Sequence, residues 1–440
     1  MYENNGYQLY DIDDVACIND DVIRSISRNS LNKKLTELLE ALNCDKIYTE
    51  ADNCVVMDTD NKKYIDFIGA YGAMNLGNNN PYVKKALDKV KDKLNLAYIG
   101  INPYEAALAD NLVKMTRHQL ERVFFCNSGS EAVESALKLA RAATGKSRIL
   151  YCENSYHGKS FGALTVTGQA HYRQKFEPLI PDMNQLPFGD LAALEEELAK
   201  GAAAFIVEPI QGEGGVIMAP ANYLKGVRAL CEKYGALLIL DEVQTGFGRT
   251  GSFFAYEQED MVPDILCLAK SLGGGVIPVG ACISKGWVYE KAYGEQSTCM
   301  LHSSTFGGNT YACAAGMAAI EGIVKEELVK QCREKGEFLI NELRRLKEAS
   351  YGIKDVRGRG LMIGVEFEDK VPAGQEGSVL PFNSYGAYIA SSLLNEYGII
   401  TAYSTNNGNL IRLEPPLTIT YEQLESLLSA LRNLLLVKLK

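Results

Sequence analysis

Several protein classes are excluded by what this chain lacks. Its 440 residues contain no run of 18 or more apolar residues, so no membrane-spanning helix is expected. The opening stretch MYENNGYQLYDIDDVACINDD has neither a basic region nor an apolar core, which argues against a secretory signal. No CxxC pair occurs, and the 11 cysteines are scattered. A disulfide scaffold is therefore not expected, and a reduced cytoplasmic setting is the simplest reading. The 4 histidines (His118, His157, His171 and His302) do not fall at metal-ligand spacing, so no metal site is expected. The formal net charge is -10 and no basic stripe is visible, which excludes the usual footprint of a nucleic-acid binder.

What remains is an ordinary globular composition, 47% hydrophobic and 23% charged. The length suits a large domain with a smaller companion. Residues 1 to about 20 are polar and acidic and read as a loose arm. Residues 21–44 carry leucines at helical spacing and predict an amphipathic helix. Residues 55–69 predict a hairpin, with two apolar runs around DTDNKK. From about residue 100, short apolar runs alternate with helical stretches. This succession predicts a mostly parallel, doubly wound α/β sheet with its site at the carboxyl ends of the strands. After about residue 330 the pattern becomes α+β. The expected division is an arm and helix at 1–45, part of a small domain at 46–95, a large domain at 96–329, and the rest of the small domain at 330–440. The small domain is thus built from both chain ends.

Four segments carry chemistry. Asn127-Ser128-Gly129-Ser130 lies between a predicted strand, RVFFC, and a predicted helix. Backbone N–H groups and hydroxyls there suit an anion, although a plain N-cap looks the same. Asp241-Glu242 ends the apolar run ALLIL. A carboxylate at that place needs a partner, either a cation such as a protonated pyridine or the N–H groups of the following loop. Lys270 ends another apolar run and precedes three glycines. Partial desolvation would lower its pKa and make the amine nucleophilic; a snorkelling surface lysine is the alternative. Thr305 opens the stretch TFGGN, which is either a phosphate contact or an ordinary turn. Together these supply a phosphate cradle, a carboxylate for a ring nitrogen and a lysine for an aldehyde, the parts a pyridoxal-phosphate (PLP) site needs.

The segments DFIGAYGAMNLGNNNP, FFCNSGSEAVESALKLAR, VEPIQGEGGV, LLILDEVQTGFGRTG, PDILCLAKSLGGGVIPVGA, HSSTFGGN and IRLEPPLTIT closely resemble the class III (omega) aminotransferases of PLP fold type I. They span roughly residues 50 to 420. The nearest branch resembles putrescine aminotransferase, with ornithine and acetylornithine aminotransferases one step further away. The resemblance implies a covalent link from Lys270 to the cofactor aldehyde, Asp241 on the pyridine nitrogen, Gln244 near the ring hydroxyl, and Ser128, Gly129 and Ser130 on the phosphate. It implies Tyr156 stacked on the ring and Thr305 reaching the phosphate of a neighbouring subunit, hence a homodimer with shared sites; a dimer of dimers stays open. Arg412 would grip a substrate carboxylate, Glu213 would pair with Arg412 when the donor has none, and Tyr71 would line the substrate side. Two departures stand out. GNNNP (Gly77 to Pro81) replaces the family's GHCHP-like stretch, and Thr310 follows GGN where proline is usual. Neither touches the bond-making chemistry.

The implied reaction moves a terminal amino group, most simply from a diamine such as putrescine, to a 2-oxo acid such as 2-oxoglutarate. Lys270 would serve as general base and acid. Ornithine, acetylornithine, 4-aminobutyrate or a specialised biosynthetic amine are rival donors. A PLP isomerase or racemase and an inactive scaffold are rivals of other classes.

Overall fold

In a computed structural model of the chain, residues 1–97, 99–349, 352–368, 384–404 and 406–438 are described. Thr405, a few residues before the IRLEPPLTIT segment, lies outside them. The expected hairpin is present and gains a strand: β1 (Tyr48–Asp52), β2 (Val55–Asp58) and β3 (Lys63–Asp66) form an antiparallel meander. The large sheet follows, with β4 (Arg122–Cys126), β5 (Ile149–Cys152), β6 (Met183–Leu186), β7 (Ala204–Val207), β8 (Leu237–Asp241), β9 (Ile265–Leu268) and β10 (Gly280–Ser284). Its order is β4-β10-β9-β8-β7-β5-β6. Only β10 runs against its neighbours; the remaining pairings are parallel.

The central strands β7, β8 and β9 are buried along their whole length. That explains their continuous apolar runs, because a parallel strand covered on both faces has no polar side. Helix α1 (Gly129–Thr144) packs on the sheet. Ser128 caps its start and Gly145, at φ 66°, ends it in the left-handed region.

Among the described residues five further strands follow the long helix α2 (Leu328–Ala349), beginning with β11 (Ile353–Arg359), β12 (Met362–Phe367) and the two-residue strands β13 (Ile399–Ile400) and β14 (Ala402–Tyr403). β15 (Leu410–Leu413) comes last. One small sheet has the order β11-β12-β15-β14, the other β13-β3-β2-β1. The second joins the chain ends directly, since Ile399 pairs with Ile65 and Ile400 with Asp66. The buried Arg249 guanidinium ties these regions to the large sheet's loops. It donates to Leu361 O (2.9 Å), Pro415 O (2.6 Å) and Asn75 Oδ1 (2.5 Å).

The amino-terminal region departs from expectation twice. The arm contains an exposed hairpin, Tyr2–Asn4 against Tyr7–Leu9, and a short capped helix, Ile12–Val15. The single helix expected over 21–44 is interrupted. Helical stretches Asp20–Ile26 and Lys33–Ala41 flank a π-helical turn, Ser27–Asn32. Its sequence SRNSLN is rich in side chains that compete for backbone hydrogen bonds. Asn32 does so here, accepting from Leu35 N at 3.1 Å. Among the described residues no helix is long and apolar enough to cross a membrane.

Candidate active site

Strands β4, β5, β7, β8 and β9 lead at their carboxyl ends into one cavity of about 930 Å³, within the usual range for a small-molecule site. Ser128, Gly129, Ser130, Tyr156, Asp241, Gln244, Lys270, Glu213 and Tyr71 all line it. Thr305 does not. It is exposed, in the loop before Asn309. Neighbouring Ser304 accepts from Asn127 Nδ2 at 2.9 Å, so that loop lies against the start of α1.

The Ser128–Ser130 turn is both a cap and a cradle. Ser128 Oγ accepts from Glu131 N at 3.2 Å, the local N-cap. The 16-residue helix behind it aims its free N–H groups and positive dipole end toward the cavity, which suits a phosphate. The loop after β5 closes on this turn, and Lys159 N donates to Ser130 Oγ at 3.3 Å. Gly158, at φ +125°, sits so near Ser130 that an added Cβ would lie 2.1 Å from its Oγ; only glycine permits that approach.

At the end of β8 the two neighbouring carboxylates part company. Asp241 faces the cavity, accepting from Val243 N at 3.0 Å and from His157 Nδ1 at 2.7 Å. Glu242 turns the other way and caps the following loop, accepting from Ala255 N (2.7 Å) and Tyr256 N (2.8 Å). The loop-capping reading of this dipeptide describes Glu242, while Asp241 presents its carboxylate to the cavity. His157 is fully buried, and its Nε2 has no partner among the described residues. Lys270 follows β9 with φ 51°, a conformation unfavourable for lysine and typical of strained functional positions. Burial pushes its ammonium below the usual lysine range.

Behind the other end of the cavity, which Tyr71, Glu213 and Gln244 line, lies an ionic cluster whose Arg412 and Glu414 are not themselves lining residues. Arg412, on β15, is 1% exposed. Its Nη1 meets Glu213 Oε2 at 2.5 Å. Its Nε and Nη2 lie 2.9 and 2.7 Å from Glu414 Oε1. Gln244 Nε2 donates to Glu414 Oε2 at 2.6 Å and to Tyr71 O at 3.1 Å. The Tyr71 ring lies 4.9 Å from the guanidinium carbon. Burial alone would lower the Arg412 pKa, but Glu414 and Glu213 hold it above its ordinary value. Burial would likewise raise Glu414, and Arg412, Arg249 and Lys270 hold it below the usual range.

Three residues of this site escaped the sequence reading. His157 adjoins Tyr156 in SYHG, yet it meets Asp241 only through the fold. Glu208 follows the buried run of β7 and receives Tyr156 N at 2.8 Å and Gly212 N at 3.3 Å. Burial, aided by Asp241, pushes its carboxyl up to about 7. Glu414 follows the buried β15. A carboxylate closing a buried apolar strand was the signal that exposed Asp241, and the same signal applies to Glu208 and Glu414.

The donor set fits pyridoxal phosphate. It offers a helix start for the phosphate, a buried carboxylate for the ring nitrogen, an aromatic wall in Tyr156 and a desolvated amine. Among the described residues no cluster of metal-ligating side chains occurs.

Comparisons with known proteins agree. The family model for aminotransferase class-III matches residues 40–435. An ornithine aminotransferase from Toxoplasma gondii is similar at 29% identity with a TM-score of 0.86, covering 98% of this chain and 99% of that one. An amine transaminase from an uncultivated Pseudomonas species, solved with PLP bound, is 31% identical with a TM-score of 0.81, covering 89% and 95%. An acetylornithine aminotransferase from Elizabethkingia anophelis is 32% identical with a TM-score of 0.75, covering 92% and 98%.

Proposed function

The chain belongs to the class-III aminotransferases, enzymes that use pyridoxal phosphate, and on that premise we propose that its donor is a diamine such as putrescine. Its acceptor would be a 2-oxo acid such as 2-oxoglutarate, and its products an aminoaldehyde and glutamate. The observation that carries this reading is the closed Glu213–Arg412 pair. In that state the guanidinium that would bind a carboxylate is occupied, so the cavity suits a donor without one. The acceptor's carboxylate displaces Glu213 and takes the guanidinium fork, a bidentate task suited to arginine.

When bound, the cofactor supplies an aldehyde that condenses with amines and a ring that withdraws electrons from the attached carbon. The chain's residues do the rest. Asp241 would keep the ring nitrogen protonated, and the buried His157 holds that carboxylate through its 2.7 Å contact. Ser128, Gly129 and Ser130 would hold the phosphate, Tyr156 would pack on the ring, and Gln244 would reach the ring hydroxyl. Lys270 would hold the cofactor through its aldehyde, and its amine would serve as the base and acid that moves the proton. Burial lowers its pKa and so raises the share of neutral amine for that step.

Thr305 serves the neighbouring subunit in a homodimer. Leu94, Ile99, Ile101, Met300, Leu301 and Phe306 are all exposed, and Thr310 N bonds Asn95 O to join the two segments that bear them. An apolar surface of this kind suits a subunit interface. The 11 unpaired cysteines suit a cytoplasmic setting.

The test is donor-dependent glutamate formation from 2-oxoglutarate, with Lys270→Ala as the blank. Putrescine and cadaverine should exceed ornithine, acetylornithine and 4-aminobutyrate. A lead for ornithine or acetylornithine would move the donor to that of the relatives and overturn the diamine reading.

A further inference from the structure

Arg412 has two carboxylate partners of unlike mobility. Glu213 sits at the tip of a short hairpin, Ile210–Gln211 against Ile217–Met218. Its side chain is 25% exposed, and Tyr172 Oη donates to it at 3.4 Å. Glu414 is 0% exposed. One of its oxygens accepts from Arg412 Nε and Nη2, the other from Gln244 Nε2. Its backbone N–H donates to Phe67 O at 2.7 Å. Glu213 can leave into the cavity, whereas Glu414 has nowhere to go.

The charge count follows from this. One guanidinium and two carboxylates are in direct contact, so the closed cluster carries one excess negative charge. Arg249, the next buried cation, bonds Leu361 O, Pro415 O and Asn75 and is shared electrostatically between Glu414 and Asp66, while Lys270, the cofactor's attachment point, adds a weaker attraction to Glu414. Arg249 does not hydrogen-bond the Glu414 carboxylate. A closed Arg412–Glu213 pair alone would be neutral and would suit a neutral far end.

We propose that Glu414 is a specificity-determining residue: as the fixed counterion of Arg412 it leaves the closed cluster net negative, so the cavity selects donors whose far end carries a second ammonium. This deepens the diamine reading and rests on it. When Glu213 moves away for the acceptor, Arg412 and Glu414 together are neutral. The acceptor's carboxylate is then held by hydrogen bonds with little net charge attraction, and release of the product carboxylate is eased. Discrimination works through charge at the far end of the substrate, attraction for one class and its absence for the other.

The experiment compares kcat/KM for putrescine and 1-aminobutane, which share a chain length and differ in the far ammonium. Glutarate binding to the holoenzyme is measured by calorimetry alongside. The wild type should favour putrescine by about tenfold or more. A wild type without that preference ends the diamine reading itself. Given the preference, Glu414→Gln should lower the putrescine-to-aminobutane ratio about tenfold and tighten glutarate binding severalfold, while Glu414→Asp keeps the ratio. A ratio unchanged within about twofold in folded Glu414→Gln overturns the assignment of Glu414 and leaves the diamine reading standing. Glu213→Gln tests the same count without touching the buried residue. With a charged Glu414 that variant's cluster is neutral, and the two amines should come within about threefold of each other. If Glu414 contributes no charge, the cluster is cationic and putrescine falls below about one third of aminobutane, which overturns the proposal.

Discussion

The two ends of the cavity are both buried and ionic, yet they are built differently. At the Asp241 end, the residues come from neighbouring strands of one sheet. Asp241 closes β8, His157 lies just beyond β5, and Glu208 closes β7, which runs between them. At the Arg412 end, Glu213 comes from a loop of the large sheet, Arg412 from β15 of a small sheet, Glu414 from the residue just after it, and Tyr71 from the segment after β3. One end is fixed by a continuous hydrogen-bonded ladder. The other is assembled across elements far apart in sequence, with one carboxylate locked and one partly exposed. A rigid end suits a resident group. An end with an exchangeable counterion suits substrates that differ in charge.

Three substitutions would break or sharpen this contrast. The largest effect is expected from Asp241→Asn, which keeps the shape but removes the charge facing the ring nitrogen. Turnover with every amine should fall roughly 10²–10³-fold, as when a group stabilising developing charge is lost, with no change in the order of preferred donors. A selective loss for one donor would show that Asp241 belongs to the substrate end. Arg412→Lys comes next. It keeps the charge between two buried carboxylates, whose unpaired burial would otherwise cost about 3–5 kcal/mol, but it loses the fork. The KM for 2-oxoglutarate should rise about 30-fold, ~2 kcal/mol. The first half-reaction with putrescine, followed by the coenzyme's absorbance in a single turnover, should change less than about threefold. Equal losses in both halves would contradict an exchangeable end.

The smallest effect concerns Glu208, whose carboxyl is raised from 4.5 to about 7 by burial. The folded state binds this proton more tightly than the unfolded chain does. The stability it contributes is therefore fully present below pH 4.5 and is lost as pH rises toward 7. Glu208→Gln should flatten the decline in Tm across that window while keeping an acceptor for Tyr156 N. An unchanged Tm profile would show that Glu208 stays ionised in the fold.

Much of the Asp241 end was legible because it follows from single strands. A buried apolar run that closes on a carboxylate or a lysine announces a group that needs a partner, and Asp241 and Lys270 stood out for that reason. The hairpin of β2 and β3 was legible from its turn residues. His157 was not, because its partner lies 84 positions away and nothing local marks the contact. The Arg412–Glu213 pair was expected only through family resemblance, and the second carboxylate on Arg412 was missed. The interrupted helix before residue 44 was missed because the leucine spacing continues through the π-turn while SRNSLN breaks the hydrogen-bond pattern.

By itself, the sequence determined the alternation of strand and helix and the residue types at the strand ends. Hydrophobic periodicity and the cost of burying an unpaired charge act locally and leave local marks. Only the tertiary structure decided which charges meet. The register of parallel strands brings His157 to Asp241, and the pairing of both chain ends positions β15 so that Arg412 lies between Glu213 and Glu414. Those contacts depend on distances through space between residues up to 201 positions apart in this 440-residue chain (Glu213 to Glu414), which no local pattern records.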